Sequence, residues 1–395
     1  MENIQKIKSL ASAYLSEFTK IRREIHAHPE LGFEEFRTAE LIATKLKELG
    51  IPFQGSIAKT GIVAMIEGMN PAKKTIALRA DMDALPIEEK NNCEYHSQNK
   101  GIMHACGHDA HIACLLGAAK ILNELKNDFE GSIKLIFQPS EEKFPGGALA
   151  MIQQGVLENP NPAFIIGQHV LPTLESGKMG IRGGKYMAST DEIYLKVKGK
   201  GGHAATPELN INPIIIAAHI LIALQQIPHH NPSPEQPTVL SFGRIEGNGR
   251  TNIIPDEVKI DGTLRCFDEE WRVEAHRRIT EISQSIAEGM GGNCEVFIDK
   301  GYPFLINDEK LTSNIKNQAI EYLGSENVVD LEMRLTAEDF AYYSQKIPAC
   351  FYRLGTRNET KGIVSNLHTN TFDIDENAIE TGMGLMAWLT FRQLQ

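Results

Sequence analysis

Ile133-Lys134-Leu135-Ile136-Phe137-Gln138-Pro139-Ser140-Glu141-Glu142 is the stretch that decides the fold. A short apolar run of this kind reads as a strand buried on both faces, and it ends in a turn carrying two adjacent carboxylates. The same pattern recurs along the chain. Thr75-Ile76-Ala77-Leu78 leads into Arg79-Ala80-Asp81-Met82-Asp83, and Ala163-Phe164-Ile165-Ile166 leads into Gly167-Gln168-His169. Cys350-Phe351-Tyr352-Arg353-Leu354 leads into Gly355-Thr356. Helical patterns lie between these runs, at Ile112 to Leu125 and Ala148 to Gln154. Ile4, Ile7, Leu10, Tyr14, Phe18, Ile21 and Ile25 mark an amphipathic first helix. The alternation predicts an α/β domain, a mixed sheet covered by helices. Ligands of open α/β sheets bind beyond the carboxyl ends of the strands, so Asp81, Asp83, Glu141, Glu142 and His169 are expected to face one crevice.

The texture changes near residue 186. Glu192 to Lys198, Thr238 to Phe242, Glu257 to Arg265 and Cys294 to Ile298 alternate as half-exposed strands. Helices are expected over Pro213 to Gln226 and Trp271 to Glu288. Strand, helix, strand, strand, helix, strand reads as a ferredoxin-like α+β unit. It is expected as an insertion over 185–298, with the first domain formed by 1–184 and 299–395.

A chain of 395 residues is long enough for two domains. Its net charge of −11 and the lack of a basic stripe argue against a nucleic-acid partner. No run approaches the ~20 apolar residues of a membrane helix, and the N-terminus does not read as a secretion signal. The six cysteines are scattered rather than arranged as a disulfide framework, which points to a cytoplasmic protein with reduced thiols.

The chemistry centres on His104-Ala105-Cys106-Gly107-His108-Asp109-Ala110-His111. A thiolate and an imidazole two residues apart can share one metal, and the glycine allows a tight turn between them. Taken alone, the segment reads more readily as a capped helix start with one buried thiol. Glu141 and Glu142 follow an apolar strand, where carboxylates are costly unless bound to metal or hydrogen-bonded. Their side chains diverge, so one can ligate a metal while the other holds water as a general base. His169 and His368, each unremarkable by itself, bring the candidate ligands to Cys106, His108, Glu142, His169 and His368. A thiolate, imidazoles and a carboxylate suit zinc, manganese or iron better than magnesium or calcium. A rival reading comes from Gly199-Lys200-Gly201-Gly202-His203-Ala204, which fits a loose dinucleotide-binding pattern and would imply a nicotinamide oxidoreductase. It would need a helix to open there. A non-catalytic small-molecule binding protein is the other alternative. No G-x-S-x-G elbow is present.

These residues resemble a known family. Arg79-Ala80-Asp81-Met82-Asp83-Ala84-Leu85-Pro86, the Cys106 segment, Phe137-Gln138-Pro139-Ser140-Glu141-Glu142 and Gly199 to Ala205 stand in the order of the M20 metallopeptidases. Asn252-Ile253-Ile254-Pro255-Asp256, Gly262-Thr263-Leu264-Arg265 and Glu338-Asp339-Phe340 follow in the same order. The likeness is to the amidohydrolase branch, which includes hippurate hydrolase, auxin-conjugate hydrolases and N-acetyl-diaminopimelate deacetylase. It runs from His26-Ala27-His28-Pro29-Glu30 to Leu367-His368. The resemblance implies hydrolysis of the amide bond of an N-acyl amino acid by two divalent metal ions per subunit, manganese or zinc, with nickel and cobalt as alternatives. Cys106 would bridge the ions, with His108, Glu142, His169 and His368 completing the two sites. Glu141 would be the general base and acid, and Asp83 would orient a ligand. Asp81 stands where many relatives have a histidine ligand. The inserted domain is similar to the family's lid, which implies a homodimer or higher homo-oligomer. His203 would stabilise the oxyanion, and Asn252 and Arg265 would face the substrate. Two positions depart from the pattern, with Glu208 where relatives often have histidine and Asn212 where they often have aspartate.

Overall fold

The computed structural model describes residues 2–395. The chain forms two compact units. The first takes the chain up to Tyr186, with Ile306–Glu332 and Asp339–Gln395; the second comprises Met187–Leu305 and Met333–Glu338.

The first unit is built on an eight-stranded sheet. Its order is Phe53–Ile57, Gly61–Glu67, Ser132–Gln138, Thr75–Asp81, Phe164–Glu175, Ala349–Arg357, Met179–Ile181 and Val328–Asp330. The four central strands, Ser132–Gln138 to Ala349–Arg357, run parallel, while Gly61–Glu67 and Met179–Ile181 join them antiparallel, so the sheet is mixed. Thr75–Asp81 and Ser132–Gln138 are buried at every position, which requires cover on both faces and explains their unbroken apolar reading. Helix His108–Glu124 is buried almost all round and packs against helices Glu2–Ala27 and Asn377–Gln393.

The crevice follows from strand order. After Thr75–Asp81 the chain crosses through helix His108–Glu124 to Ser132–Gln138 on one side. It then crosses through helix Gly147–Gln153 to Phe164–Glu175 on the other side. The gap between Thr75–Asp81 and Phe164–Glu175 is thus a topological switch point. Arg79 opposite Gly167 is the last pair between these strands, and Asp81 and His169 follow on either side of the opening. One expectation is corrected here. His169 does not end its strand, which continues to Glu175. Ala349–Arg357 keeps pairing with it, Arg353 opposite His169 and Arg357 opposite Glu175.

The second unit has an antiparallel sheet in the order Val239–Glu246, Glu257–Arg265, Asp191–Lys198, Asn293–Lys300. Helices Pro213–Leu224 and Glu269–Gly289 lie between its strands in sequence. Ile193, Leu195 and Val197 alternate inward against Ile216, Ile220, Ala275 and Ile279, which gives this unit its own core. Asn212 caps the first helix by accepting the Ile214 N–H at 3.0 Å, and Asp268 caps the second through Glu270 and Trp271. An aspartate at 212 would accept the same bond, so that departure leaves the cap intact. Gly199 to Ala204 opens no helix. It passes into the two-residue strand Gly202–His203 and the turn Pro207–Leu209, so it lacks the helix N-terminus that a dinucleotide site uses.

Arg272 anchors this unit. It donates from Nε to Asp191 Oδ2 at 2.9 Å and from Nη2 to the carbonyls of Thr190 at 3.2 Å and Gly301 at 2.9 Å. One buried guanidinium therefore holds both the entering and the leaving strand.

Candidate metal centre

Gly107 begins the site. At φ +83° it caps helix His108–Glu124, and a Cβ there would lie 2.6 Å from Val170 Cγ2. Only glycine takes this conformation without strain, and it turns Cys106 and His108 toward the same space. The ligand atoms of Cys106, His108 and His169 lie within 4.8 Å of one another, and so do those of Cys106, Glu142 and His368. Cys106 belongs to both groups. A third group joins His108, Glu141 and Glu142. The structure thus brings together Cys106, His108, Glu141, Glu142, His169 and His368.

Hydrogen bonds that involve the main chain fix Glu141, Glu142, His108, His169 and His368. Asp83 accepts the Glu141 N–H on Oδ1 and the Glu142 N–H on Oδ2, both at 2.9 Å, and its carbonyl accepts His108 Nδ1 at 2.8 Å. One residue therefore aligns the carboxylate turn and the first histidine of the helix. His169 Nδ1 donates to the Val170 carbonyl at 2.8 Å, leaving Nε2 to face Cys106 Sγ at 3.4 Å. His368, at φ +60°, bonds through its N–H to the Ala105 carbonyl, and its Nε2 lies 3.2 Å from Glu142 Oε1.

The electrostatics ask for a cation. Burial pushes the Cys106 thiol well above its usual range, and the neighbouring Glu142, Glu141 and Asp81 push it further. Burial disfavours a charged His108, yet Asp81, Asp83 and Glu142 outweigh it and raise the ring to about 10. His108 Nε2 is buried without a hydrogen-bond partner. A buried thiol among carboxylates, with an imidazole nitrogen left over, fits a divalent transition metal.

His203, Asn252 and Arg265 belong to the second unit. His203 and Asn252 are brought together, since the Ala204 N–H bonds to the Asn252 carbonyl and His203 pairs with Ile253. The exposed His203 ring accepts the Ala205 N–H on Nδ1 at 3.0 Å, so Nε2 carries the proton as an outward donor. Arg265 ends strand Glu257–Arg265, and burial lowers its pKa against the pull of Asp191 and Glu192. Glu208 is exposed in the turn Pro207–Leu209.

Two buried networks escaped the sequence reading. Arg79 donates to Asp81 and Asp339, and Asp81 pairs with His111. Arg22 donates to Asp109 at 2.6 Å, and His26 lies 2.8 Å from the same carboxylate. The available signal was charge inside apolar segments. Arg79 and Asp81 lie in a buried strand and Arg22 on the inward stripe of the first helix, and buried charges have to be paired.

Thiol, imidazole and carboxylate side chains gathered at the switch point of a mixed α/β sheet form a candidate metal centre, of the class used by metal-dependent hydrolases. The model of peptidase family M20/M25/M40 matches residues 77–390, and the chain belongs to that family. It is 41% identical over 359 residues to an N-acetyl-L-cysteine deacetylase of Bacillus subtilis, covering 91% of this chain and 84% of the relative. It is 39% identical over 386 residues to thermostable carboxypeptidase 2 of Saccharolobus solfataricus, covering 97% and 96%. Among solved structures, the Bacillus subtilis YxeP protein, described as a dinuclear metal-binding peptidase of the M20 family, matches with a TM-score of 0.84 at 33% identity. That match covers 97% of this chain and 99% of the other.

Proposed function

We propose that this chain hydrolyses the amide bond of N-acyl amino acids, releasing a carboxylate and a free amino acid. The observation that carries this reading is Cys106, shared by two sets of ligand atoms beside Glu141. The named relatives support the substrate class. Deacetylation of N-acetylcysteine and removal of a C-terminal residue both cleave an amide whose amine side is an amino acid with a free carboxylate.

Cys106, His108, Glu142, His169 and His368 would hold two divalent ions, manganese or zinc, with nickel or cobalt as alternatives. Bound ions supply Lewis acidity and lower the pKa of water toward ~7. Glu141, with Oε1 3.4 Å from the Asp339 N–H, takes the proton of the attacking water and returns it to the leaving amine. Asp83 keeps Glu141 in place through the main chain. His203 offers its Nε2–H to the oxyanion, where electrostatic stabilisation is usually largest. Arg265 receives the substrate carboxylate and Asn252 faces the substrate.

The second unit acts as lid and as the contact of a homodimer or higher homo-oligomer. Helix Pro213–Leu224 supports this, because it leaves Ile214, Ile215 and Ile222 exposed, the last at 73%. The protein works in the cytoplasm; its six unbridged cysteines support that assignment. Among the described residues, no helix is long and apolar enough to cross a membrane.

A panel of N-acetyl, N-benzoyl and indoleacetyl amino acids, assayed on stripped protein reloaded with manganese, zinc, nickel or cobalt, tests the reading. Metal-dependent release of the free amino acid is expected. Fully loaded protein that hydrolyses none of the panel would remove it.

A further inference from the structure

Asp81 closes its strand at the lip of the crevice and is fully buried. Its ligand atom lies within 4.8 Å of those of His108 and His111, so proximity alone would make it a metal ligand. Its hydrogen bonds point elsewhere. Oδ1 lies 2.5 Å from His111 Nδ1, and Oδ2 accepts Arg79 Nη1 at 2.6 Å. On the other side of the same imidazole, the Val170 N–H donates to Nε2 at 2.9 Å. A ring nitrogen that accepts carries no proton, so Nδ1 holds it and donates to Asp81. Both nitrogens of His111 are engaged and neither is left for a metal.

His111 therefore bridges the opening between two strands that no longer pair with each other. It ties the end of Thr75–Asp81 to Val170, whose carbonyl accepts His169 Nδ1–H. The His111 and His169 rings lie 4.6 Å apart. Arg79 makes the second branch. It donates to Gln138 Oε1 at 2.9 Å and to Asp339 Oδ1 at 2.8 Å. The Asp339 carboxylate also accepts Gln138 Nε2 and the Ala148 N–H, and its own N–H faces Glu141. One guanidinium thus connects the support of His169 with the support of Glu141.

We propose that Asp81 is a positioning residue and not a metal ligand: through His111 it fixes the His169–Val170 segment of the strand, and through Arg79 it keeps that segment in register with Asp339 and Glu141. The proposal rests on His169 as a ligand and Glu141 as the base. Groups that hold a ligand in this way are typically worth about 10–100-fold in metal affinity or activity.

Three variants test it: Asp81→Asn, His111→Gln and His111→Phe. Each is stripped and titrated with cobalt, and the readouts are ions per subunit, affinity against a competing chelator, the visible cobalt absorption, and kcat and KM. Asp81→Asn is expected to bind two ions at saturation, one of them about 10–100-fold more weakly, with a shifted absorption band. Its kcat should fall while KM stays nearly constant. His111→Gln keeps one donor and one acceptor and should retain most of the affinity that His111→Phe loses. Loss of a whole ion in Asp81→Asn, with native affinity in His111→Phe, would make Asp81 a ligand and overturn the proposal. Native affinity and spectrum in all three variants, even with lowered melting temperatures, would reduce the network to packing and also overturn it. If Asp81→Asn does not fold, the His111 pair decides: equal, native affinities overturn the proposal, and a gap between them supports it. Unaltered protein that binds fewer than two ions would instead count against the two-ion reading.

Discussion

Glu141 and Glu142 are neighbours with different surroundings, and the difference supports the separate roles proposed for them. Glu141 is 6% exposed and lies near the Asp339 N–H, whereas Glu142 reaches His368. Glu141→Gln preserves shape and removes the basic oxygen. It is expected to cut kcat by about 10²–10⁴-fold while elemental analysis finds the ion content unchanged. A variant that keeps more than a tenth of the native rate would end the assignment of Glu141 as base. Cys106→Ser should behave in the opposite way, losing metal first and activity as a consequence; unchanged metal content would count against the shared thiolate. At this scale the sequence was informative. Cys106, His108, Glu141 and Glu142 stand out because reactive side chains interrupt apolar runs. Asp83 stood out as a candidate, but not the two N–H groups it accepts, because a hydrogen-bond partner 58 positions away leaves no local pattern.

The strands and helices were legible for a related reason. Thr75–Asp81 and Ser132–Gln138 are buried throughout, so their apolar content has no competing period. Phe164–Glu175 was legible only in its first half. The rest, including Pro172, owes its strand form to pairing with Ala349–Arg357, which is tertiary information. The Arg272 clamp belongs to this scale too. Burial opposes a charged Asp191, but Arg272 and His276 outweigh it and hold the carboxyl below the usual 3.8. A depressed folded-state pKa contributes stability above the unfolded value and loses it as pH falls through the folded one. Asp191→Asn takes one of two carboxylates from a buried guanidinium that keeps Glu269 at 3.0 Å, and should destabilise the protein by about 1–3 kcal/mol at neutral pH. The gap from native protein, measured by chemical denaturation, should be present at neutral pH and close as the pH falls below about 4. A gap that persists undiminished at pH 2 would refute the ion pair as its source.

At the scale of the whole molecule, the proposed contact between copies lies on helix Pro213–Leu224. Ile222 and Ile215 lie on the uncovered side of a helix whose other side fills the core of the second unit. Ile222→Asp should leave that core untouched and shift the protein to monomer in sedimentation. A dimer of native strength would move the contact elsewhere. The change of periodicity near residue 186 falls where the second unit begins, at Met187, but the end expected at residue 298 falls short of Leu305. The return of Met333–Glu338 to the second unit was not legible, because six residues are too few to carry a period.

Gly107 has a consequence for how far this chain can drift. Its missing side chain leaves room for Val170, the residue whose N–H meets His111 and whose carbonyl meets His169. A methyl group at 107 would press on that strand and be felt at His169, which lies 62 positions further along the chain. In a saturation library, position 107 should therefore be as intolerant as the proposed ligands, with alanine no better than larger residues. Cys106, Gly107 and His108 would be inherited as one indivisible unit.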